Sequence, residues 1–274
     1  MKRIISAIVF LPIVILAVWP RNGIALAALV VVASAVALLE FFGIARRSRI
    51  DCHRVLGVVL CAGLQVGIFF TGLALAGAIL AGVVLAVLVH SLLSRRPLDA
   101  ALSSTAVSVF GLFYIGFFMA HFMLLHRLEV AGGDAPRVYL IYFLFLVVWG
   151  GDTAAYYVGK SIGRHPMAPL LSPKKTMEGA VGNLVASGCL ALVFRFLVWR
   201  TASVLEVLVF ALVLNAAGQA GDLMESLFKR GSGVKDASNL IPGHGGLLDR
   251  VDSILVAGPV FYYFYNFWHD RFGL

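Results

Sequence analysis

Long apolar runs alternate with short polar interruptions along this chain, and within each run the apolar residues are continuous, not placed at every second position. Runs of about 20 such residues are what an α-helix needs to cross a hydrocarbon layer about 30 Å thick, whereas a transmembrane barrel strand alternates. The pattern predicts nine spans, at about residues 4–19, 24–45, 55–72, 74–93, 101–125, 138–152, 179–199, 204–221 and 252–268. The expected fold class is therefore all-α: a polytopic integral membrane helical bundle forming a single membrane domain over 1–274. Residues 1–137 carry generic spans, and 138–274 carry the polar loops. The sixth and eighth spans reach bilayer length only if their polar ends also lie in the membrane.

Composition agrees with this reading. Of 274 residues, 61% are hydrophobic and 13% charged, where a soluble domain is about one quarter charged. The basic start and apolar run of the first 19 residues resemble a signal peptide, but "PRNG" follows in place of a small-x-small cleavage site, so the run is kept as the first span. With the N-terminus in the cytoplasm, 16 of the 22 Lys and Arg residues fall on or near that side. Only Arg21, Arg127, Arg137, Arg195, Arg200 and Arg271 fall elsewhere. This is the positive-inside asymmetry, so the net charge of +8 follows from topology and does not imply a nucleic acid partner. Cys52, Cys61 and Cys189 are scattered, which suggests neither a disulfide framework nor a thiolate metal site.

Two polar stretches interrupt the apolar pattern, both on the expected cytoplasmic side. They are "GGDTAAYYVGKSIGRHPMAPLLSPKKTMEG", from Gly150 to Gly179, and "GQAGDLMESLFKR" running on to "GSGVKDASNLIPGHGGLLDRVDS". If "GDLMESLFKR" continues the eighth span as a helix, Asp222, Glu225, Ser226 and Lys229 share one face at i, i+3, i+4 and i+7. Asp249 and Asp252, three apart, share a face at the start of the last span. An acid at the centre of a membrane helix costs about 2.5–3.5 kcal/mol on insertion scales, so such residues face a protein interior or a water-filled cavity. Two carboxylates about 5–6 Å apart also repel by about 3 kcal/mol at an effective dielectric of 20. A cation relieves both problems, and oxygen-only ligands favour Mg²⁺ or Mn²⁺ over zinc. Ion pairing alone is the competing reading, because Asp222 to Asp252 contains five acids and four Lys or Arg residues.

The glycines of "PGHGG" permit left-handed backbone angles and close approach just before a helix start, whose free N–H groups attract an anion such as phosphate. An ordinary Pro/Gly turn would look the same. His244 is open to three readings: a donor to phosphate, an acid or base, or a tie within the turn. In "SPKKTMEG", Lys174 and Lys175 offer charge to phosphates, and Ser172 and Thr176 offer hydroxyls. Glu40, a lone acid within the second span, is a weak candidate: a cavity residue or a snorkelling one.

Taken together, these residues resemble the phosphatidate cytidylyltransferases, or CDP-diacylglycerol synthases. The family signature of Ser-x-apolar-Lys-Arg, Lys-Asp, Pro-x-His-Gly-Gly and Asp-Arg-apolar-Asp is similar to "SLFKRGSGVKDASNLIPGHGGLLDRVDS", Ser226 to Ser253, without a gap. "GDTAAYYVGK" and "SPKKTMEG" resemble the family's second block, although Lys160 and Arg164 stand in the reverse of the expected order and Met177 replaces a bulkier residue. The resemblance implies CTP plus phosphatidate giving CDP-diacylglycerol and pyrophosphate, dependent on Mg²⁺, with Mn²⁺ and a second metal ion as further options. It implies metal ligands among Asp222, Glu225, Asp249 and Asp252, and catalytic roles for Asp222, Asp249, Lys229 and His244. Substrate contacts would come from Ser172, Lys174, Lys175, Thr176, Ser226, Arg230, Lys235, Asp236, Gly245, Gly246 and Arg250. A homodimer in a bacterial inner membrane, with its site facing the cytoplasm, also follows from the resemblance. Its rivals are a CTP-dependent transferase or kinase acting on another membrane lipid, and a secondary transporter, whose acids would bind coupling ions at midplane.

Overall fold

The computed structural model describes residues 12–94, 97–128, 138–240 and 245–272. His244, Arg95, Arg96, Arg137 and the first part of the expected first span lie outside these residues. Among the described residues the chain is almost wholly helical. Residues 12–18 are helical (α1) and are followed by α2 (Ile24–Arg47), α3 (Arg54–Thr71), α4 (Ala76–Leu93) and α5 (Leu98–Gly111). A π-helical turn at Leu112–Phe117 joins α5 to α6 (Phe118–Leu125). Next come α7 (Val138–Ile162), the strands β1 (Pro166–Ala168) and β2 (Ser172–Thr176), α8 (Met177–Leu197), α9 (Val204–Gly231) and α10 (Leu248–Phe272).

Seven helical segments among the described residues are long and apolar enough to cross a membrane: α2, α3, α4, α5 through α6, α7, α8 and α9. The protein is thus a polytopic helical membrane protein. The expected ninth span corresponds to α10, which has the length, 25 residues, but is not among the seven; Pro259, Asn266 and its many tyrosines dilute its apolar character. Several expected boundaries change. The sixth and eighth spans run on to Ile162 and Gly231, because "DTAAYYVGK" and "DLMESLFKR" remain helical beyond the apolar run. The stretch read as one loop from Gly150 to Gly179 is instead the end of α7 followed by an antiparallel hairpin, β1 with β2. The third helix does end where expected, at Gly72, whose φ of 63° lies in the left-handed region that favours glycine.

The chain divides into two compact units, Met1–Leu124 with Phe228–Val251, and Leu125–Leu227 with Asp252–Leu274. In the first, α3 packs on α2, on α4 and on the π turn. Small residues set the spacing: a Cβ on Gly57 or Gly111 would fall within about 3 Å of the Phe42 ring. Buried polar atoms find partners across helices, with Gln65 donating to Ser34 Oγ at 2.6 Å and to the Gly116 carbonyl at 3.1 Å. Phe41, Phe110, Tyr114 and Phe228 form a ring cluster with centroids 5.5–6.3 Å apart, which fixes the end of α9 against α2 and the π turn.

In the second unit the principal seam joins α7 and α8 through two small-residue rows at i, i+4 spacing. Gly151, Ala155 and Gly159 of α7 face Gly179, Asn183 and Ser187 of α8. A Cβ on Gly179 would stand 2.9 Å from the Ala155 carbonyl oxygen, and one on Gly151 would collide with the Asn183 and Ser187 side chains. Phe143, Trp199, Phe210, Phe261 and Tyr265 pack the core of the same unit. Overpacking of a tight seam costs about 1–3 kcal/mol. Gly151→Ala should therefore lower the unfolding midpoint of the detergent-solubilised protein, whereas Gly43→Ala, where a Cβ meets nothing within 4 Å, should leave it unchanged. Circular dichroism melts of the two variants check this.

Candidate active site

The polar residues singled out from the sequence fall into two groups, one in each unit. In the first unit the start of α10 is held by two carboxylates. Asp249 Oδ2 accepts the Gly246 N–H at 2.7 Å and the Ala237 N–H at 3.0 Å, while Oδ1 receives the Lys229 ammonium at 2.6 Å. The pair is nearly dry, with the Lys229 and Asp249 side chains 12% and 8% exposed. Glu40 reaches from α2 to the same helix start. Its Oε1 accepts the Ser238 hydroxyl at 2.5 Å and the Leu247 N–H at 3.1 Å, and its Oε2 accepts the Leu248 N–H at 2.7 Å.

This arrangement gives the glycines a specific meaning. Gly245 has φ of 78°, and a Cβ there would lie 2.7 Å from Asp249 Oδ2; a Cβ on Gly246 would lie 2.7–2.8 Å from the Glu40 carboxylate. The Gly246, Leu247 and Leu248 amides at this helix start are donated to Asp249 and Glu40. A helix N-terminus favours negative charge for its free N–H groups and its dipole, and here the protein supplies that charge itself. Arg230, Lys235, Asp236 and Arg250 are exposed around this group, with Arg230 bonded to the Val234 carbonyl at 3.4 Å.

The second unit gathers four acids. Asp152 of α7, Asp222 and Glu225 of α9 and Asp252 of α10 lie close enough for their charges to repel one another. Lys175, from β2, forms an ion pair with Asp222 Oδ2. Asn183 donates to Asp152 Oδ1 at 3.2 Å and Ser253 gives Asp152 a further hydrogen bond. Glycine again permits the approach: a Cβ on Gly221 would meet the Asp252 carbonyl, and one on Gly218 would press on Val148 at 3.1 Å. Behind the acids, Asn215 donates to Asn183 Oδ1 at 2.6 Å and Gln219 to Asn215 Oδ1 at 2.5 Å.

The hairpin residues have local duties as well. Thr176 caps α8 by accepting the Gly179 N–H at 3.1 Å, and Glu178 closes the hairpin by accepting His165 Nδ1 at 2.6 Å and the Arg164 N–H at 3.1 Å. Ser172 is half-buried, Lys174 is exposed, and Ser226 is buried on α9. Lys160 Nζ lies 5.9 Å from the Tyr156 ring centroid.

Among the described residues no three His, Cys, Asp or Glu side chains converge as a ready metal cage. The donor set nevertheless fits a hard cation. Four carboxylates with a side-chain amide and a hydroxyl, opposed by one lysine, present oxygen donors of hard character. Asp152 and Asn183 are not among the site residues expected from the sequence; the signal that could have found them is a polar pair inside otherwise apolar helices.

Fold and site together define a polytopic helical membrane protein with an aspartate–lysine ion pair in each unit. More particularly, the chain belongs to the cytidylyltransferase family, whose profile matches residues 1–268. It is similar to the phosphatidate cytidylyltransferase of Haemophilus influenzae, 42% identical over 134 residues, which are 47% of this chain and 46% of that protein. Those of Bacillus subtilis and Staphylococcus saprophyticus are 40% identical over 136 residues and 45% identical over 123 residues. The first covers 50% of this chain and 51% of the relative, the second 45% and 47%, so the chain spans about half the length of the curated relatives it matches.

Breaking a buried ion pair by removing one partner costs about 3–5 kcal/mol, and the two amides left on Asp249 favour the lower end of that range. Lys229→Met should thus destabilise the protein by about 3 kcal/mol. Arg230→Met, at an exposed neighbour, should change stability by less than about 0.5 kcal/mol. Parallel denaturant titrations in detergent test the contrast.

Proposed function

We propose that this protein is a phosphatidate cytidylyltransferase, transferring the cytidylyl group of CTP to phosphatidate to give CDP-diacylglycerol and pyrophosphate. The observation that carries the reading is the pairing of an aspartate with a lysine in each unit, Lys175 with Asp222 and Lys229 with Asp249, within a chain of this family. Such pairs supply movable positive charge to phosphates and leave carboxylates for a divalent ion.

The chemistry needs no activated serine or cysteine. An ionised phosphate oxygen of phosphatidate forms a bond to the α-phosphorus of CTP, and the bond from that phosphorus to the bridging oxygen breaks, so pyrophosphate leaves with the electron pair. Charge neutralisation and alignment then carry the catalysis. In the second unit, Lys174 and Lys175 would neutralise phosphate oxygens, and Asp222 and Asp252, with Asp152 and Glu225 beside them, would hold Mg²⁺ or Mn²⁺. In the first unit, the exposed Arg230 and Lys235 would neutralise phosphates, Lys229 would exchange between Asp249 and a phosphate, and Asp249 would then be available to a cation. When bound, the ion supplies charge compensation to the reacting phosphates. Lys175 stands in for such a charge at Asp222, and its release would accompany metal entry. CTP is a cytosolic nucleotide, so the site would face the cytoplasm of a bacterial inner membrane while the lipid enters from the bilayer.

Purified protein supplied with CTP, phosphatidate and Mg²⁺ should release pyrophosphate and form CDP-diacylglycerol in equal amounts. Asp222→Asn and Asp249→Asn should each lower turnover by at least about 100-fold while inserting normally. Normal turnover in Asp222→Asn would remove it from the metal set, and a well-folded protein without product would overturn the reading.

A further inference from the structure

Glu40 lies on α2, in a helix apolar enough to cross a membrane, and is only 8% exposed. A carboxylate in such a helix is costly unless donors meet it. Three do, all from one stretch of the motif nearly 200 residues away: the Ser238 hydroxyl and the Leu247 and Leu248 amides. Ser238 in turn accepts the Leu240 N–H at 3.1 Å, so the grip extends along the loop.

We infer that Glu40 is a positioning residue for the site, holding Ser238 on one side and Leu247 and Leu248 on the other so that Asp249 meets Lys229. The inference rests on the proposed cytidylyltransferase reading for its catalytic consequence, but its geometry stands apart from it. Leu248, whose amide Glu40 accepts, directly precedes Asp249, so a slip at that amide displaces the aspartate. Ala237, which donates to Asp249, directly precedes Ser238, which donates to Glu40. The two carboxylates therefore act as a double clamp, each gripping both Ala237–Ser238 and the start of α10. Gly246 belongs to the same device, because any side chain there would occupy the space of the Glu40 carboxylate. With these amides committed to Glu40 and Asp249, substrate phosphates fall to the lysines and arginines.

Glu40→Gln is the decisive variant, since its amide nitrogen turns a donor toward a backbone donor while preserving size. A displacement of about 1 Å at a working group costs on the order of 100-fold in rate. Turnover by the purified, correctly inserted variant should fall by about that factor. The KM for CTP should move by less than about threefold, as for an interaction expressed in the transition state. Amide hydrogen exchange at Leu247 and Leu248 should accelerate by at least about tenfold, the effect of losing about 1.4 kcal/mol of protection. Ser238→Ala, which removes a single bond, should show a smaller loss of turnover, about tenfold or less, and guards against a Glu40 variant that fails to insert. Unchanged exchange in Glu40→Gln would overturn the clamp. Accelerated exchange with wild-type turnover would overturn its positioning role. If wild-type protein makes no CDP-diacylglycerol, the cytidylyltransferase reading fails on its own, and the exchange measurement still decides whether the clamp exists.

Discussion

A charged oxygen inside an apolar helical protein must be met by donors from the protein itself, and this requirement organises the second half of the chain. At the start of α10 two carboxylates, Glu40 and Asp249, collect the backbone amides that the helix cannot satisfy. The arrangement suits both partners: the helix start gains negative charge and the acids gain hydrogen bonds they could not obtain from lipid. Everything around it is accommodated to that exchange. Gly245 and Gly246 lack side chains where the carboxylates sit, Ser238 turns its hydroxyl inward, and Lys229 balances Asp249.

The second unit meets the same requirement differently. Its four acids are met by hydrogen bonds from Asn183 and Ser253 to Asp152 and by an ion pair from Lys175 to Asp222. The packing that brings the acids together comes from residues with almost no side chain. Gly151 lets α7 lie against Asn183 and Ser187, and Gly221 lets α9 approach Asp252. In helical membrane proteins small residues allow this closeness, since apolar side chains facing lipid provide little drive of their own for association.

Much of this was legible in the sequence. Continuous apolar runs fixed the helical class, and the stripe from Asp222 to Lys229 marked α9 as continuing past its apolar part. The hairpin at Pro166–Thr176 was not legible, because strands of three and five residues are too short to show a period. Left-handed backbone and absent side chains mark the glycines of the motif as a place of close approach, but the sequence does not show that the Glu40 carboxylate lies against Gly246. Glu40 itself looked marginal because nothing local distinguishes a snorkelling acid from one engaged across nearly 200 residues. The link from Asp152 to Asn183 was not legible, because it depends on the small-residue seam, a three-dimensional property.

The central claim is that these paired charges serve cytidylyl transfer to a lipid phosphate, and the position of a label tests it most directly. With phosphatidate and Mg²⁺, the purified protein is given CTP labelled either at the α-phosphorus or at the γ-phosphorus. Label from the α position should appear in lipid and label from the γ position in pyrophosphate. Transfer of the γ label to lipid would instead identify a CTP-dependent kinase and contradict the account.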